Sequence, residues 1–249
     1  MLNNGLSYET ALVTGATSGI GKAIVLALAN QNIKVIALGR NEQIMKELAT
    51  VDHVITVQAD VRDYVQLEKL FSNYEVDIVI NNAGVLTTRS DFQTIEHNDI
   101  DSMIDINLKA PLHLTREALP AMVERKKGHI FFIGSSAGRA PHPNSSVYGA
   151  SKAGISLFCD ALRCDLLGTG VRVTEIAPGR VQTNLYRNAI ESSKIQSELY
   201  DEYDSIMPED IAELILTALR LPLAVDVSRM EVFPTSQAVG GSRIVKKNN

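Results

Sequence analysis

Tyr148 and Lys152 stand four residues apart in the run Tyr148-Gly149-Ala150-Ser151-Lys152, and Ser135 precedes the tyrosine by thirteen positions. On a helix, side chains four apart share a face, so this spacing presents a phenol beside an ammonium. A phenol ordinarily titrates near about 10 and is a poor proton donor or acceptor at neutral pH. A neighbouring ammonium favours the phenolate and brings that proton within useful range. The hydroxyl of Ser135 can then hold a carbonyl oxygen beside the tyrosine. Together the three groups are equipment for moving a proton on and off an alcohol. Alone, the Tyr-x-x-x-Lys spacing describes equally well a helix with a wet face, and the rest of the chain decides between the two.

Near the start, Ala11-Leu12-Val13 reads as a short buried strand, and Thr14-Gly15-Ala16-Thr17-Ser18-Gly19-Ile20-Gly21 follows it. An apolar helical run from Ile24 to Ala29 comes next. Glycines 15, 19 and 21 permit a tight turn, close approach of backbone to a phosphate, and close helix–strand packing. The free N–H groups of the helix N-terminus then suit a pyrophosphate. The spacing is Gly-x-x-x-Gly-x-Gly, which departs from the commoner Gly-x-Gly-x-x-Gly fingerprint.

Strand patterns recur at Lys34–Leu38, His53–Gln58, Asp77–Ile80, His129–Ile133, Arg172–Ile176 and Met230–Phe233, with helical stretches such as Ile100–Arg125 and Val147–Leu167 between them. Strands separated by helices require right-handed crossovers, hence a parallel sheet covered on both faces. The expectation is one α/β domain over residues 1–249, a Rossmann-type doubly wound parallel sheet of about seven strands.

These motifs, with Asp60-Val61, Asn81-Asn82-Ala83-Gly84, Asn107 and Pro178-Gly179 with Thr183, resemble the short-chain dehydrogenase/reductase family in order and spacing, from about Thr10 to Thr235. The resemblance implies a nicotinamide-dependent oxidoreductase with an Asn107-Ser135-Tyr148-Lys152 tetrad. It implies that Gly15, Thr17, Ser18, Gly19, Ile20 and Gly21 border the dinucleotide. Asn82, Ala83 and Gly84 would lie against the adenosine ribose, and Lys152 would bind the nicotinamide ribose beside Tyr148. Pro178, Gly179, Val181 and Thr183 would cover the nicotinamide. Asp60, beside Val61, would accept a hydrogen bond from the adenine; it also reads as the N-cap of a helix over Val61–Leu70. Asn107 would bend its helix and hold a water leading to Lys152, although a surface Asn fits the same position.

Cofactor choice rests on the end of the second strand, Ala37-Leu38-Gly39-Arg40-Asn41, where no acid is present to bond a ribose 2′-hydroxyl. Arg40 can offer its planar fork to a 2′-phosphate, which points to NADP(H). The same arginine can instead pair on the surface with Glu42 or Glu47. Ser18 stands where some NADP members of the family carry a second basic residue.

Composition is consistent with this reading. An apolar fraction of 45% is enough for a full core, and a net charge of −5 argues against nucleic-acid and anionic-membrane partners. Cys159 and Cys164 read as reduced core thiols of a cytoplasmic protein. The polar start, Met1 to Tyr8, lacks a basic-then-apolar signal design, and no metal-ligand spacing is present.

Three segments, Leu119–Arg125, Leu162–Thr174 and Met230–Gln237, resemble a narrower group acting on small polar alcohols and aldehydes: serine and other 3-hydroxy acids, or sulfoacetaldehyde. Such small substrates carry an anion to be neutralised, and Arg139, Arg180 and Arg187 lie on segments expected to border the site. Residues 184–207 read either as a lid over the substrate or as a solvated surface helix. Other readings are a 3-oxoacyl thioester reductase, a polyol, steroid or secondary-metabolite reductase, and a non-catalytic dinucleotide sensor. The apolar circumference of Val147–Leu167 points to a homo-oligomer, a tetramer by resemblance, unless one subunit buries it all.

Overall fold

The computed structural model describes residues 6–189, 202–239 and 244–246, with the backbone alone at 187 and 188. Its seven strands form one parallel sheet in the order β3-β2-β1-β4-β5-β6-β7. The strands are β1 (Thr10–Thr14), β2 (Lys34–Gly39), β3 (Val54–Gln58), β4 (Ile78–Asn81), β5 (Gly128–Ile133), β6 (Val171–Pro178) and β7 (Arg229–Val232). Helices α1 (Gly19–Ala29), α2 (Glu42–Leu48), α3 (Tyr64–Asn73), α4 (His97–Ile104), α5 (Ala110–Arg125) and α6 (Ser146–Asp165) connect them in turn, and α7 (Leu185–Ala189) and α8 (Pro208–Arg220) lie between β6 and β7.

Alternation along each strand splits the core into two layers. On β1, Ala11 and Val13 point to one face and Leu12 to the other. The first layer is closed by Ile24 and Leu28 of α1 and by Ile211 and Ile215 of α8. The second is closed by Leu67 of α3, Leu114 and Met122 of α5, and Ile155 and Leu162 of α6. Strand order reverses between β1 and β4, whose C-terminal ends therefore splay their connections to opposite faces and open a crevice.

Element boundaries differ from the sequence pattern where single side chains intervene. Helix α3 begins at Tyr64 rather than Val61, because Asp63 is its cap and accepts a hydrogen bond from the Gln66 N–H at 3.1 Å. Asp60 is therefore not the cap. His53 adopts a left-handed φ of +67°, and β3 starts one residue later, at Val54. The helical run through Asn107 is interrupted by one π-helical turn, Asp105–Lys109, joining α4 to α5. Cys159 is buried as expected, but Cys164 is exposed on the outer side of α6, so it is not a core thiol. Among the described residues no helix is long and apolar enough to cross a membrane, and no cluster of metal-ligating side chains occurs.

Candidate active site

All strands end on the same edge of the sheet, and the connections leaving that edge line one cavity. Strand β5 delivers Ser135. Its Oγ accepts a hydrogen bond from the Ala137 N–H at 3.1 Å, which starts the short turn Ser136–Gly138. That turn packs against α6 so closely that a Cβ on Gly138 would stand 2.8 Å from the Lys152 carbonyl oxygen. Glycine here is what lets Ser135 approach the start of α6.

Helix α6 carries Tyr148 and Lys152 into the cavity one turn apart, and both are buried. Lys152 Nζ donates to the Ile133 carbonyl at 2.7 Å and stands 5.9 Å from the centre of the Tyr148 ring. Burial brings this ammonium down to about 8, against the pull of the Glu175 carboxylate. Burial also pushes the Tyr148 phenol above its ordinary range, and the nearby Tyr186 phenol adds to the rise; a hydrogen bond with Ser135 opposes them. The expectation that Lys152 draws the phenol down is not met in this arrangement. The ammonium lies over the ring with a proton committed to Ile133, and desolvation dominates.

Asn107 sits in the π turn, 1% exposed and behind the cavity wall. Its Oδ1 accepts from the Val85 N–H at 2.7 Å, while Nδ2 donates to the Val85 carbonyl at 2.8 Å and to Ser151 Oγ at 3.3 Å. Ser151 in turn donates to the Tyr148 carbonyl at 2.7 Å. The side chain read from sequence as a water holder is thus, in this structure, a clamp between the segment leaving β4 and helix α6. A Cβ on Gly84 would find Asn107 Oδ1 at 3.4 Å and Lys152 Nζ at 3.7 Å, so the two share one flank of that glycine.

Under the end of β5 lies a buried polar group that the sequence reading missed. Glu175 on β6 is 1% exposed and accepts from Arg229 Nε at 2.6 Å and from Ser156 Oγ at 3.0 Å. A Cβ at Gly134 would meet its Oε1 at 2.3 Å. Nothing in the strand's apolar pattern signals a carboxylate there; its partner lies 54 residues away.

At the other end of the cavity, β1 and β4 are tied together. Thr14 Oγ1 donates to the Ile80 carbonyl at 3.2 Å and accepts from the N–H groups of Asn82 and Ala83, both at 3.1 Å. Asn82 Nδ2 donates back to the Thr14 carbonyl at 2.9 Å. Gly15, at φ +65°, lies where a Cβ would stand 2.9 Å from Ala83 Cα. Gly21 packs its helix on the turn, for a Cβ there would stand 2.2 Å from the Gly15 carbonyl. Gly21 is therefore a packing glycine and does not line the cavity, whereas Gly15, Thr17, Ser18, Gly19 and Ile20 do. No side chain caps α1 and its first turn carries no acid, so its leading N–H groups are left for an anion in the cavity.

Arg40 and Asp60 line the same end, with Val61 beside them. Arg40 is largely exposed and pairs with Asp60 at 3.6 Å, not with Glu42 or Glu47. Arg62, which the sequence reading passed over, grips both oxygens of Asp60 at 2.8 and 2.9 Å. That hydrogen bonding, more than the added Arg40 charge, holds Asp60 down at about 2. Two guanidinium groups thus converge on one carboxylate at the cavity mouth.

Asn82, Ala83 and Gly84 line one wall of the cavity, and Pro178, Gly179, Val181 and Thr183 line another. The Gly179 N–H donates to the Val232 carbonyl at 2.7 Å, and a Cβ there would strike Gln237 Oε1 at 2.6 Å. Two of the three arginines expected to clamp an anion lie elsewhere. Arg139 pairs with Glu231 at 3.3 Å, and Arg180 stacks over Tyr203 at 5.1 Å; neither lines the cavity. The side chain of Arg187 and half of the 184–207 segment, residues 190–201, fall outside the described residues. Tyr186, on α7, does line the cavity, close to Tyr148.

Comparison with known proteins places this geometry. The model of the short chain dehydrogenase family matches residues 9–194. An uncharacterized short-chain type dehydrogenase/reductase, y4eK, of Sinorhizobium fredii is 51% identical over 96% of both chains. The NADP-dependent 3-hydroxy acid dehydrogenase YdfG of Escherichia coli is 36% identical, covering 94% of this chain and 98% of its own. Among solved structures, the closed form of serine dehydrogenase complexed with NADP+ is 36% identical and superposes with a TM-score of 0.89 over 96% of this chain and 100% of that one. The fold, the site at the sheet's C-terminal edge and these likenesses agree, and the chain belongs to the short-chain dehydrogenase/reductase family.

Proposed function

We propose that this chain is an NADP-dependent oxidoreductase that interconverts a small polar alcohol and its carbonyl, the substrate being a 3-hydroxy acid or a small anionic aldehyde such as sulfoacetaldehyde. One observation carries the reading. Ser135, Tyr148 and Lys152 meet at one end of a cavity whose other end holds Arg40 and the uncapped N-terminus of α1, with Arg62 held outside the lining on Asp60. A proton-transfer set and an anion-binding set in one cavity suit a phosphorylated hydride carrier and a carbinol. The NADP-dependent YdfG and the NADP+-bound serine dehydrogenase support the cofactor and the substrate class.

The residues fit that carrier. The free N–H groups of α1 suit its pyrophosphate, and the fork of Arg40, with Arg62 beside it, suits a 2′-phosphate. When bound, NADP(H) supplies or accepts the hydride. Tyr148 gives the proton to the carbonyl oxygen in reduction and takes it in oxidation. Ser135 holds that oxygen in place. Lys152, confined between Ile133 and the phenol ring, stabilises the phenolate as it forms. Asn107 fixes the backbone around Val85 that borders the substrate space.

The test is a steady-state screen of serine, 3-hydroxypropionate, sulfoacetaldehyde, a 3-oxoacyl thioester and a neutral polyol with NADPH/NADP+ and NADH/NAD+. Turnover of the small anionic substrates, with NADP(H) preferred, is the expected outcome. Turnover confined to the thioester or polyol, or a preference for NAD(H), would replace this reading with that one.

We also infer that the protein is a homo-oligomer, a tetramer. Ala153, Leu157 and Ala161 form an exposed stripe at helical spacing on α6, with Leu157 72% exposed. The buried face of that helix is already satisfied by Ile155, Cys159 and Leu162 in the core, so the stripe suits a second copy. Light scattering giving the monomer mass of 27.2 kDa at micromolar concentration would defeat it.

A further inference from the structure

The segment leaving β4 runs from Val85, clamped by Asn107, to Arg89, a residue to which the motifs draw no notice. The guanidinium of Arg89 stacks over Tyr186 at 5.7 Å, and Tyr186 lines the cavity with Tyr148 and Ser135. Its one hydrogen bond runs from a terminal nitrogen to the Pro143 carbonyl at 3.3 Å. Among the described residues it pairs with no carboxylate, in contrast to Arg139 with Glu231. Three buried polar atoms cluster around this stretch without a hydrogen-bond partner: Arg89 Nε, Thr87 Oγ1 and His142 Nε2. Such atoms are costly to withdraw from water and are rarely idle in a native protein.

Resting on the function proposed above, we propose that Arg89, flanked by His142 and Thr87, receives the anionic group of the substrate, a carboxylate or sulfonate, while the carbinol end sits between Ser135 and Tyr148. Three features support it. A guanidinium with no carboxylate of its own is a ready partner for a planar carboxylate or a sulfonate. Stacking on Tyr186 fixes the fork and lowers the entropy lost on binding. His142 is kept below its ordinary range by burial and then by the Arg89 charge, so it offers a neutral imidazole as a hydrogen-bond donor rather than a second cation. Arg89 and His142 do not line the cavity themselves; Tyr186, on which Arg89 stacks, joins them to its Tyr148 end.

The experiment measures binding apart from turnover. Ethanesulfonate, propionate and propan-1-ol are titrated calorimetrically into the NADP+-loaded wild type and into Arg89→Met and Arg89→Lys, with NADPH fluorescence verifying that each variant folds. The wild type is expected to bind the two anions more tightly than the alcohol. Arg89→Met should weaken the anions by about ten- to a hundredfold, the size of a lost charge-assisted bond, and Arg89→Lys should fall between. The KM ratio of an anionic to a neutral substrate should rise by the same factor in Arg89→Met. Equal anion binding in the wild type and Arg89→Met, or no preference of the wild type for anions over the alcohol, would overturn the assignment. If the wild type turns over no hydroxy acid yet binds ethanesulfonate through Arg89, the reaction reading fails and the anion site stands.

Discussion

Asn107 exchanges two hydrogen bonds with the backbone of one residue, Val85, accepting from its N–H at 2.7 Å and donating to its carbonyl at 2.8 Å. The pair of bonds gives the segment after β4 a fixed path past the catalytic helix.

Asn107→Ala leaves both backbone groups of Val85 without that partner. Leaving a buried polar group unpaired costs about 1–3 kcal/mol. A loss of that order in urea unfolding is expected, together with a lower kcat because the wall beside Tyr148 is no longer held. Unchanged unfolding would mean the clamp contributes nothing. Asn107→Asp, which keeps the acceptor and loses the donor, should be the worse of the two, since it also buries a charge.

Tyr148→Phe removes the proton carrier and little volume. Turnover is expected to fall by about 10²- to 10⁴-fold, with NADPH binding retained. Near-normal kcat in the variant would take the phenol out of the mechanism.

The Arg40 guanidinium sits exposed at the cavity mouth, paired with Asp60. Arg40→Ala should raise KM for NADPH about ten- to a hundredfold more than for NADH, the size of one charge-assisted bond to the 2′-phosphate. Arg62→Ala should act in the same direction, and by releasing Asp60 it should also change the adenine end of the site. Equal effects on both cofactors would remove the 2′-phosphate from the account.

Lys152 provides a pH signature in stability. Its folded value is depressed to about 8, while the unfolded side chain keeps its ordinary 10.5. Between about 8 and 10 the unfolded chain binds more protons than the folded one, so this group makes stability rise with pH there, by up to about 3 kcal/mol. Below 8 both states are protonated and the burial penalty is present in full. Above 10 the raised phenol of Tyr148 opposes the trend. Chemical denaturation across pH 7–10 should therefore show the wild type gaining on Lys152→Met; parallel curves would place the lysine in a wetter environment than the structure gives it.

Glu175 is almost fully buried, and Arg229 is its charge partner. Removing one side of such a pair strands the other and costs about 3–5 kcal/mol. Arg229→Met should thus destabilise the protein severely. Arg229→Met combined with Glu175→Gln should recover much of the loss, which thermal unfolding of the two variants can measure.

The sheet and the reactive trio were legible because their signals are local. Seven apolar strands, a glycine turn and a four-residue helical spacing each lie within one short segment. Boundaries were less so, since Asp60 and Asp63 both follow β3 as plausible caps and only three dimensions show that Arg62 occupies the first. The supporting groups were hidden for a different reason. Glu175 and Arg229, or Arg89 and Tyr186, belong to segments far apart in sequence, and a charge inside an otherwise apolar strand gives no hint of its partner. Arg139 and Arg180 show the converse, for they lie on segments that border the site while their side chains turn to Glu231 and Tyr203.

The π turn at Asp105–Lys109 has a consequence for how this chain can vary. It accommodates one residue more than an α-helical turn, which resets the phase of the rod by about 100° between its two halves. Upstream, Met103 therefore meets Leu86 and Tyr148; downstream, Leu114 and Met122 meet the sheet. A side-chain change in that turn leaves the register of both halves intact. A one-residue deletion restores a uniform helix and forces one half out of its seat, so insertions and deletions here are far less tolerable than substitutions, although the turn lies on no strand and touches no ligand-facing surface except through Ile106.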